Sequence, residues 1–367
     1  MLLRTRPGLR RAWRDVGRVQ LGEDTAHAVV LDGLAAGEEA VLDDLVEGVE
    51  ATELLARCGE RGARGLSPAA LEHLLGLLRD AGALEPTPVA GGAGTLGSVA
   101  EADSLGLLHG GSGWDLLARR SRACVRVEGL PRTATALAAG LLEAGVGRVD
   151  LRLDGAPQVR PEDVTSGGLR QEDVGWSLPA AAERLRARWE EQLGRAPGST
   201  LPGADGTTAP DLVVLAARGA LPPERGTELV RQDRPHLAVV LGVRSAVVGP
   251  FVLPGRTPCL RCVELHRGDR DPEWPRVATQ LAYPSTCGGE DSWPREDVVL
   301  VRLVSALAVA QALAHLDATS SPAGPSSSDP GLVTDGRATS WEVDLADGLT
   351  RGRRVELHPD CGCAWFR

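Results

Sequence analysis

Lysine is absent: all 40 basic residues of this 367-residue chain are arginine. No side chain can form a Schiff base with a carbonyl, and none can grip a phosphate as a flexible ammonium. A basic balance is lacking as well. Aspartate and glutamate number 50, which leaves a net charge of −10. An acidic chain is a poor partner for nucleic acid or anionic membrane, so neither is expected. No secretory segment is expected, because MLLRTRPGLRRAW (1–13) is basic but lacks the apolar stretch of a signal peptide. The longest apolar run, VVLVRLVSALAVAQALAHL (298–316), carries Arg302, Gln311 and His315 and reads as a buried core helix rather than a membrane span. The expected setting is cytoplasmic. No internal repeat is visible.

Cysteine is scarce, at seven residues, yet four of them fall in two close pairs. Cys259 and Cys262 stand in RTPCLRCVELH (256–266), and Cys361 and Cys363 in HPDCGCAW (358–365). In a reducing compartment paired cysteines bind metal more often than they form disulfides. Two pairs supply the four thiolates of a structural zinc tetrahedron. The second pair is C-x-C rather than C-x-x-C, so His358 or Cys287 remains an alternative for one sulfur. Cys58 and Cys124 lie in apolar stretches and read as small core hydrophobes. Cys287, in YPSTCGGED, has no activating histidine nearby. His358 aside, only His266 of the histidines stands near a proposed ligand; four residues after Cys262, it is expected to support the site rather than bind the metal.

Three stretches rich in Gly, Pro, Ser and Thr read as loops: 85–97, 196–210 and 320–331. They divide the chain into a module over 1–86, a linker over 87–121 and a larger domain over 122–367. In the first, VQLGEDTAHAVVLDG (19–33) alternates as a hairpin, while 38–49 and 67–84 have helical spacing. Ser67 is placed to cap a helix that begins at Pro68. Strands with short helices suggest a winged-helix-like module. The acidic run EEAVLDDLVEGVE would repel DNA phosphates, so a DNA-reading wing is not expected. The larger domain alternates strand, helix and strand: RACVRVEGL (122–130), PRTATALAAGLLEAG (131–145), GRVDLRLD (147–154), then DLVVLAA (211–217) and HLAVVLG (236–242). Short joins of this kind predict a mostly parallel Rossmann-type α/β sheet. SWEVDLADGLTRGRRVEL (340–357) predicts a hairpin closing on Asp347-Gly348 that delivers the chain to the second cysteine pair.

A nucleotide-type sheet followed by CLRC and a terminal cysteine pair resembles the ThiF and ubiquitin-activating superfamily. More narrowly, GPFVLPGRTPCLRCVELHRGDRDPEWP (249–275) with LHPDCGC (357–363) resembles the ThiF-like proteins of thiazole/oxazole-modified peptide (TOMM) and bacteriocin biosynthesis. Those are leader-peptide-binding partners of YcaO-type cyclodehydratases. The resemblance covers most of the chain. It implies that residues 1–86 hold a precursor leader peptide, and that 122–367 form a ThiF-like domain tied by zinc at Cys259, Cys262, Cys361 and Cys363. Relatives that adenylate often pair through this domain, so a homodimer is a further implied partner.

Active members of the superfamily adenylate a carboxylate with ATP and Mg²⁺, and the resemblance assigns cofactor-binding positions to Gly129, Asp154 and Arg170. Gly129 is what remains of the glycine-rich phosphate loop in EGLPRTATA (128–136). Asp154 ends the second strand, where an acid would take the ribose hydroxyls, and Arg170 of SGGLRQ (166–171) stands where an arginine meets the phosphates. Three elements are missing together: the other loop glycines, the lysine, and the aspartate that would hold Mg²⁺ after DLVVLAARG (211–219). These are the groups that neutralise charge in an adenylation transition state. The expectation is a leader-peptide-binding scaffold with no catalytic residues, whose ThiF-like fold has lost ATP chemistry. The alternatives are an adenylyltransferase acting on a peptide or carrier C-terminus and, more distantly, a dinucleotide-dependent oxidoreductase.

Overall fold

The computed structural model describes residues 2–6, 8–23, 28–60, 66–84, 96–109, 112–154, 158–196, 198, 209–283, 296–319 and 338–363. Cys287 and most of the three expected loops lie outside them. The chain forms two compact units, Met1–Ala118 and Arg119–Arg367.

In the first unit, β2 (Arg11–Asp15), β3 (Arg18–Leu21) and β4 (Val29–Asp32) form an antiparallel sheet in that order. The expected hairpin is β3–β4, with Leu21 opposite Val29; β2 is an additional strand on the far side of β3. β3 is central, and its Val19 and Leu21 are buried. A second small sheet pairs β1 (Leu2–Leu3) with β5 (Val49–Glu50). Helices α1 (Ala36–Glu47), α2 (Ala51–Glu60) and α3 (Pro68–Asp80) accompany the sheets. Ser67 Oγ accepts the Ala70 N–H at 3.1 Å, so the cap foreseen at the start of α3 is present. The 3–4 spacing of Leu71, Leu74 and Leu78 turns one face of α3 into a core shared with Leu42 and Leu45 of α1. The expected linker contains two helices, α4 (Leu96–His109) and α5 (Gly113–Arg120). Gly113 packs against the Ala102 carbonyl so tightly that a Cβ would lie 1.7 Å from the oxygen. A glycine that reads as a loop signal in sequence is here a contact between helices.

The second unit is built on a seven-stranded sheet of order β12-β11-β10-β9-β8-β6-β7. Its strands are β6 (Cys124–Gly129), β7 (Arg148–Leu153), β8 (Leu212–Arg218), β9 (His236–Leu241), β10 (Ser245–Val252), β11 (Thr339–Asp344) and β12 (Leu349–Arg354). β7, β6, β8 and β9 run parallel; β10, β11 and β12 add on antiparallel. The helices are α6 (Pro131–Glu143), α7 (Leu178–Gln192), α8 (Pro223–Arg231), α9 (Leu260–Arg270), α10 (Trp274–Ala282) and α11 (Val298–Thr319). Alternation along β8 divides two cores. Leu212, Val214 and Ala216 join the large cluster with α6, α7 and α11, while Val213 and Leu215 meet Leu229 of α8. α11 is long and apolar enough to cross a membrane by composition. Here it packs on α6 and β10 through Leu300, Val304, Ala308 and Ala312, all fully buried. Its end is fixed by a buried pair in which Arg120 Nε and Nη2 donate to the two Asp317 oxygens at 2.9 and 2.7 Å.

The chain leaves β6 for β7 on one side and returns to β8 on the other. The strand order therefore reverses at β6, and the crevice beyond Gly129 is where this architecture places ligands.

Candidate metal centre and nucleotide crevice

The loop after β10 is held by Thr257, whose buried hydroxyl donates to the Phe251 carbonyl at 3.1 Å and accepts the Leu253 N–H at 2.8 Å. This fixes Cys259 as the N-cap of α9, with Cys262 in its first turn. The hairpin β11–β12, closed at Asp347-Gly348 as expected, carries the chain back to the same place. Gly362 has φ +72°, a conformation that favours glycine, and it turns Cys361 and Cys363 inward together.

The result is four sulfurs within 4.8 Å of one another, three of the residues buried. Sγ–Sγ separations are 3.9 Å for Cys259–Cys262, 3.4 Å for Cys259–Cys361 and 3.5 Å for Cys262–Cys363. With Zn–S bonds of about 2.3 Å, a tetrahedron has edges of about 3.8 Å. Donor set and geometry thus fit a divalent ion of zinc type. The two residues that open α9 also sit at the positive end of its dipole, which favours thiolate. Cys262 is held down to about 4, first by the hydrogen bond from Cys259, then by backbone N–H groups including that of His358. Donation to Cys262 and burial push Cys259 far up. One sulfur of the pair is thus favoured as the thiolate and the other as the thiol that donates to it. A metal bound here would supply a closed cross-link between the terminal segment and α9, with no open position for substrate.

His358, the alternative ligand, faces elsewhere. Its Nε2 lies 2.9 Å from Asp269 Oδ2, and its Nδ1 accepts the Asp360 N–H at 3.1 Å. Cys124 is a buried core residue, with burial raising its thiol.

In the crevice, the structure brings Gly129 and Asp154 together: the Asp154 N–H donates to the Gly129 carbonyl at 2.9 Å. Gly129 has φ +120°, and a Cβ there would lie 1.8 Å from the Ala216 carbonyl oxygen. Close approach of β6 to β8 is therefore sufficient reason for this glycine. Arg170 is not brought to them by any contact among the described residues. Its side chain is 57% exposed and faces Glu172 at 3.7 Å, while its backbone N–H donates to Asp173. Asp173 is fully buried; burial pushes its carboxyl up, but hydrogen bonds from Arg188, the Arg170 N–H and Arg184 outweigh that and hold it below the usual range. Asp211 caps the opposite end of the sheet, accepting the Cys124 N–H at 2.8 Å.

The decisive residue in the crevice is one the sequence did not advertise. At the N-terminus of α6, where free N–H groups would receive a phosphate, sits the carboxylate of Glu296. Its Oε2 accepts the Thr133 N–H at 3.1 Å and, at shorter range, the Thr133 hydroxyl. Arg132 is committed too: Nη1 donates to the Glu296 carbonyl at 2.6 Å, and Nε and Nη2 donate to the Val164 carbonyl at 3.1 and 3.0 Å. Pro131 has no N–H to offer. Burial raises the Glu296 carboxyl above its ordinary value, offset in part by the Thr133 hydroxyl and the charge of Arg218 at the end of β8. Either protonation state leaves Oε2 as the acceptor. A threonine third in a helix, offering both N–H and O–H, was the available sequence signal; its acceptor 163 residues away was not.

No protein-family model and no curated protein matches the sequence. Solved structures match over almost the whole chain. E. coli MccB with ATP superposes with a TM-score of 0.66 at 14% identity, covering 99% of both chains. The microcin C7 biosynthetic enzyme MccB in complex with N-formylated MccA gives 0.64 at 13%, covering 99% of this chain and 100% of that one. A heterocyclase in complex with substrate and cofactor gives 0.61 at 15%, covering 99% of this chain and 39% of that one. Identities this low speak for architecture alone, and the architecture is that of the ThiF-like α/β fold, preceded by a small sheet-and-helix unit, as the cysteine-bearing segments had implied.

Proposed function

We propose that this chain is a peptide-binding scaffold of a ribosomal-peptide modification system, and that its ThiF-like unit no longer performs ATP chemistry. The observation that carries the reading is Glu296 in the phosphate position of α6. A side chain covalently part of the protein competes at very high effective concentration, and it already takes the Thr133 N–H and hydroxyl that a phosphate would need. The structural likeness to MccB in complex with N-formylated MccA, and to a heterocyclase in complex with substrate, supports a peptide as the partner class. On this reading the peptide is a precursor leader, and the enzyme that forms the rings is a separate YcaO-type cyclodehydratase.

An extended leader binds most simply as an added strand on the first unit's sheet. β3 is internal, so among the described residues the free edges of this sheet are β2 and β4. β2 carries Arg11, Arg14 and Asp15 along its length, the kind of charged edge that discourages pairing. β4 is Val-Val-Leu-Asp, with Val30 38% exposed, and is the better receptor edge. Val30→Asp in the full chain is expected to weaken binding of a fluorescent leader peptide by about tenfold or more, with the fold unchanged by circular dichroism. Unaltered affinity would remove β4 from the proposal.

The nucleotide half of the reading is tested by calorimetric titration with Mg·ATP. Wild type is expected to show no binding at millimolar ATP. Micromolar binding would favour the rival function, adenylation of a peptide C-terminus, and Arg170 and Asp154 would then be the first positions to change to alanine.

A further inference from the structure

We infer that His358 and Asp269 form a clasp that positions the terminal cysteine pair for the metal, and that His358 is not itself a ligand. Donor atoms of His266, Asp269 and His358 lie within 4.8 Å of one another, so a second metal site is the first idea this cluster raises. The tautomer of His358 argues against it. A backbone N–H can only donate, so the bond from Asp360 N to Nδ1 at 3.1 Å places a lone pair on Nδ1 and the proton on Nε2. That Nε2–H points at Asp269 Oδ2, 2.9 Å away. Both ring nitrogens are then engaged, and neither has a lone pair left for a cation.

What remains is a positioning role, and the backbone of His358 shows how it works. Its carbonyl accepts the Cys361 N–H at 3.1 Å, in the second pair. The residue whose ring is held by Asp269 of α9 therefore fixes the start of the second cysteine pair through its backbone. Its ring is 4% exposed and is fixed to α9, where Cys262, His266 and Asp269 follow at helical spacings of four and three on one face. The His266 ring meets the His358 ring edge-on at 4.7 Å, and His266 Nε2 donates to the Glu356 carbonyl at 3.1 Å. The same helix face that presents Cys262 thus grips residues 356–358 and sets where Cys361 and Cys363 arrive.

The test uses the full-length protein with zinc, and with cobalt(II) as a spectroscopic substitute. Asp269→Ala and His358→Ala are expected to keep four-thiolate charge-transfer intensity in the cobalt form while shifting its visible bands. Zinc affinity by chelator competition should fall about 10–100-fold, the range typical of groups that orient ligands. His358→Gln, whose amide can still donate toward Asp269, should recover part of that loss. The double variant should be no weaker than His358→Ala alone, because both changes break one connection. Two results overturn the inference. Thiolate intensity left unchanged by Cys363→Ser, together with loss of a nitrogen ligand in His358→Ala, would make His358 a ligand. Zinc affinity within twofold of wild type in both single variants would mean there is no clasp. Should His358→Ala fail to fold, Asp269→Ala carries the test, since that carboxylate is 64% exposed and its removal leaves no cavity.

Discussion

Glu296 shows how a single side chain can fill an anion seat from within the chain. The N-terminus of a helix following a strand is an anion seat by construction. Filling it from within costs desolvation of a carboxyl, and the raised pKa of Glu296 records that cost. The sign of its effect on stability follows. Between the ordinary glutamate value of about 4.3 and the raised native value, the folded state holds a proton that the unfolded chain has released. Stability from this group therefore falls as pH rises through that window. Glu296→Gln has no proton to lose. In urea titrations from pH 4 to 8, the stability of wild type relative to Glu296→Gln is expected to decline as pH increases. Parallel curves would show that the carboxyl is not raised. The four cysteines illustrate the opposite case for legibility. Cysteine pairs announce themselves by local spacing, so the four-sulfur cluster was readable down to the residue. The contact of Glu296 with Thr133 joins positions far apart in the chain and involves residue types that are common everywhere, and no local pattern could have revealed it.

Among the elements, β3, β4, β6, β7, β8 and β9 were legible from their own periods and apolar runs, and the β11–β12 hairpin because Asp-Gly marks its turn, whereas β1, β2, β5 and β10 were not expected. α4 and α5 were not. Their glycines and short apolar runs look like linker composition, and their helicity depends on packing such as that of Gly113 on Ala102. The element that couples most of the second unit is α11, and the Arg120–Asp317 pair anchors it. Both residues are at least 95% buried, and Arg120 Nη1 also donates to the Ala144 carbonyl at the end of α6. Removing one partner of a buried pair leaves the other charge uncompensated. Arg120→Ala is expected to cost about 3–5 kcal/mol in chemical denaturation. Arg120→Met with Asp317→Leu should recover most of it, because shape is restored with no charge left to solvate. If the single variant lost less than about 1 kcal/mol, the pair would have to be water-accessible.

For the molecule as a whole, each unit has a hydrophobic core of its own, one built from Leu3 to Leu84 and the other from Val125 to Val343. The four-cysteine cluster belongs entirely to the second, because Cys259, Cys262, Cys361 and Cys363 all follow Arg119. Metal that binds only the folded form stabilises that form by mass action, and structural zinc is among the stronger such ligands. Its removal should therefore be felt by one core and not the other. Calorimetry of the zinc-loaded full chain is expected to show two transitions, of which a chelator lowers only one. The chelator-sensitive transition should be retained in a fragment spanning 112–367, which keeps the Ser112 cap of α5. The insensitive one should be absent from that fragment, and with it the binding of leader peptide. A single transition, or two that move together on chelation, would mean that peptide capture and the zinc-tied fold are energetically one unit. Leader binding would then report on the state of the cysteine centre instead of being independent of it.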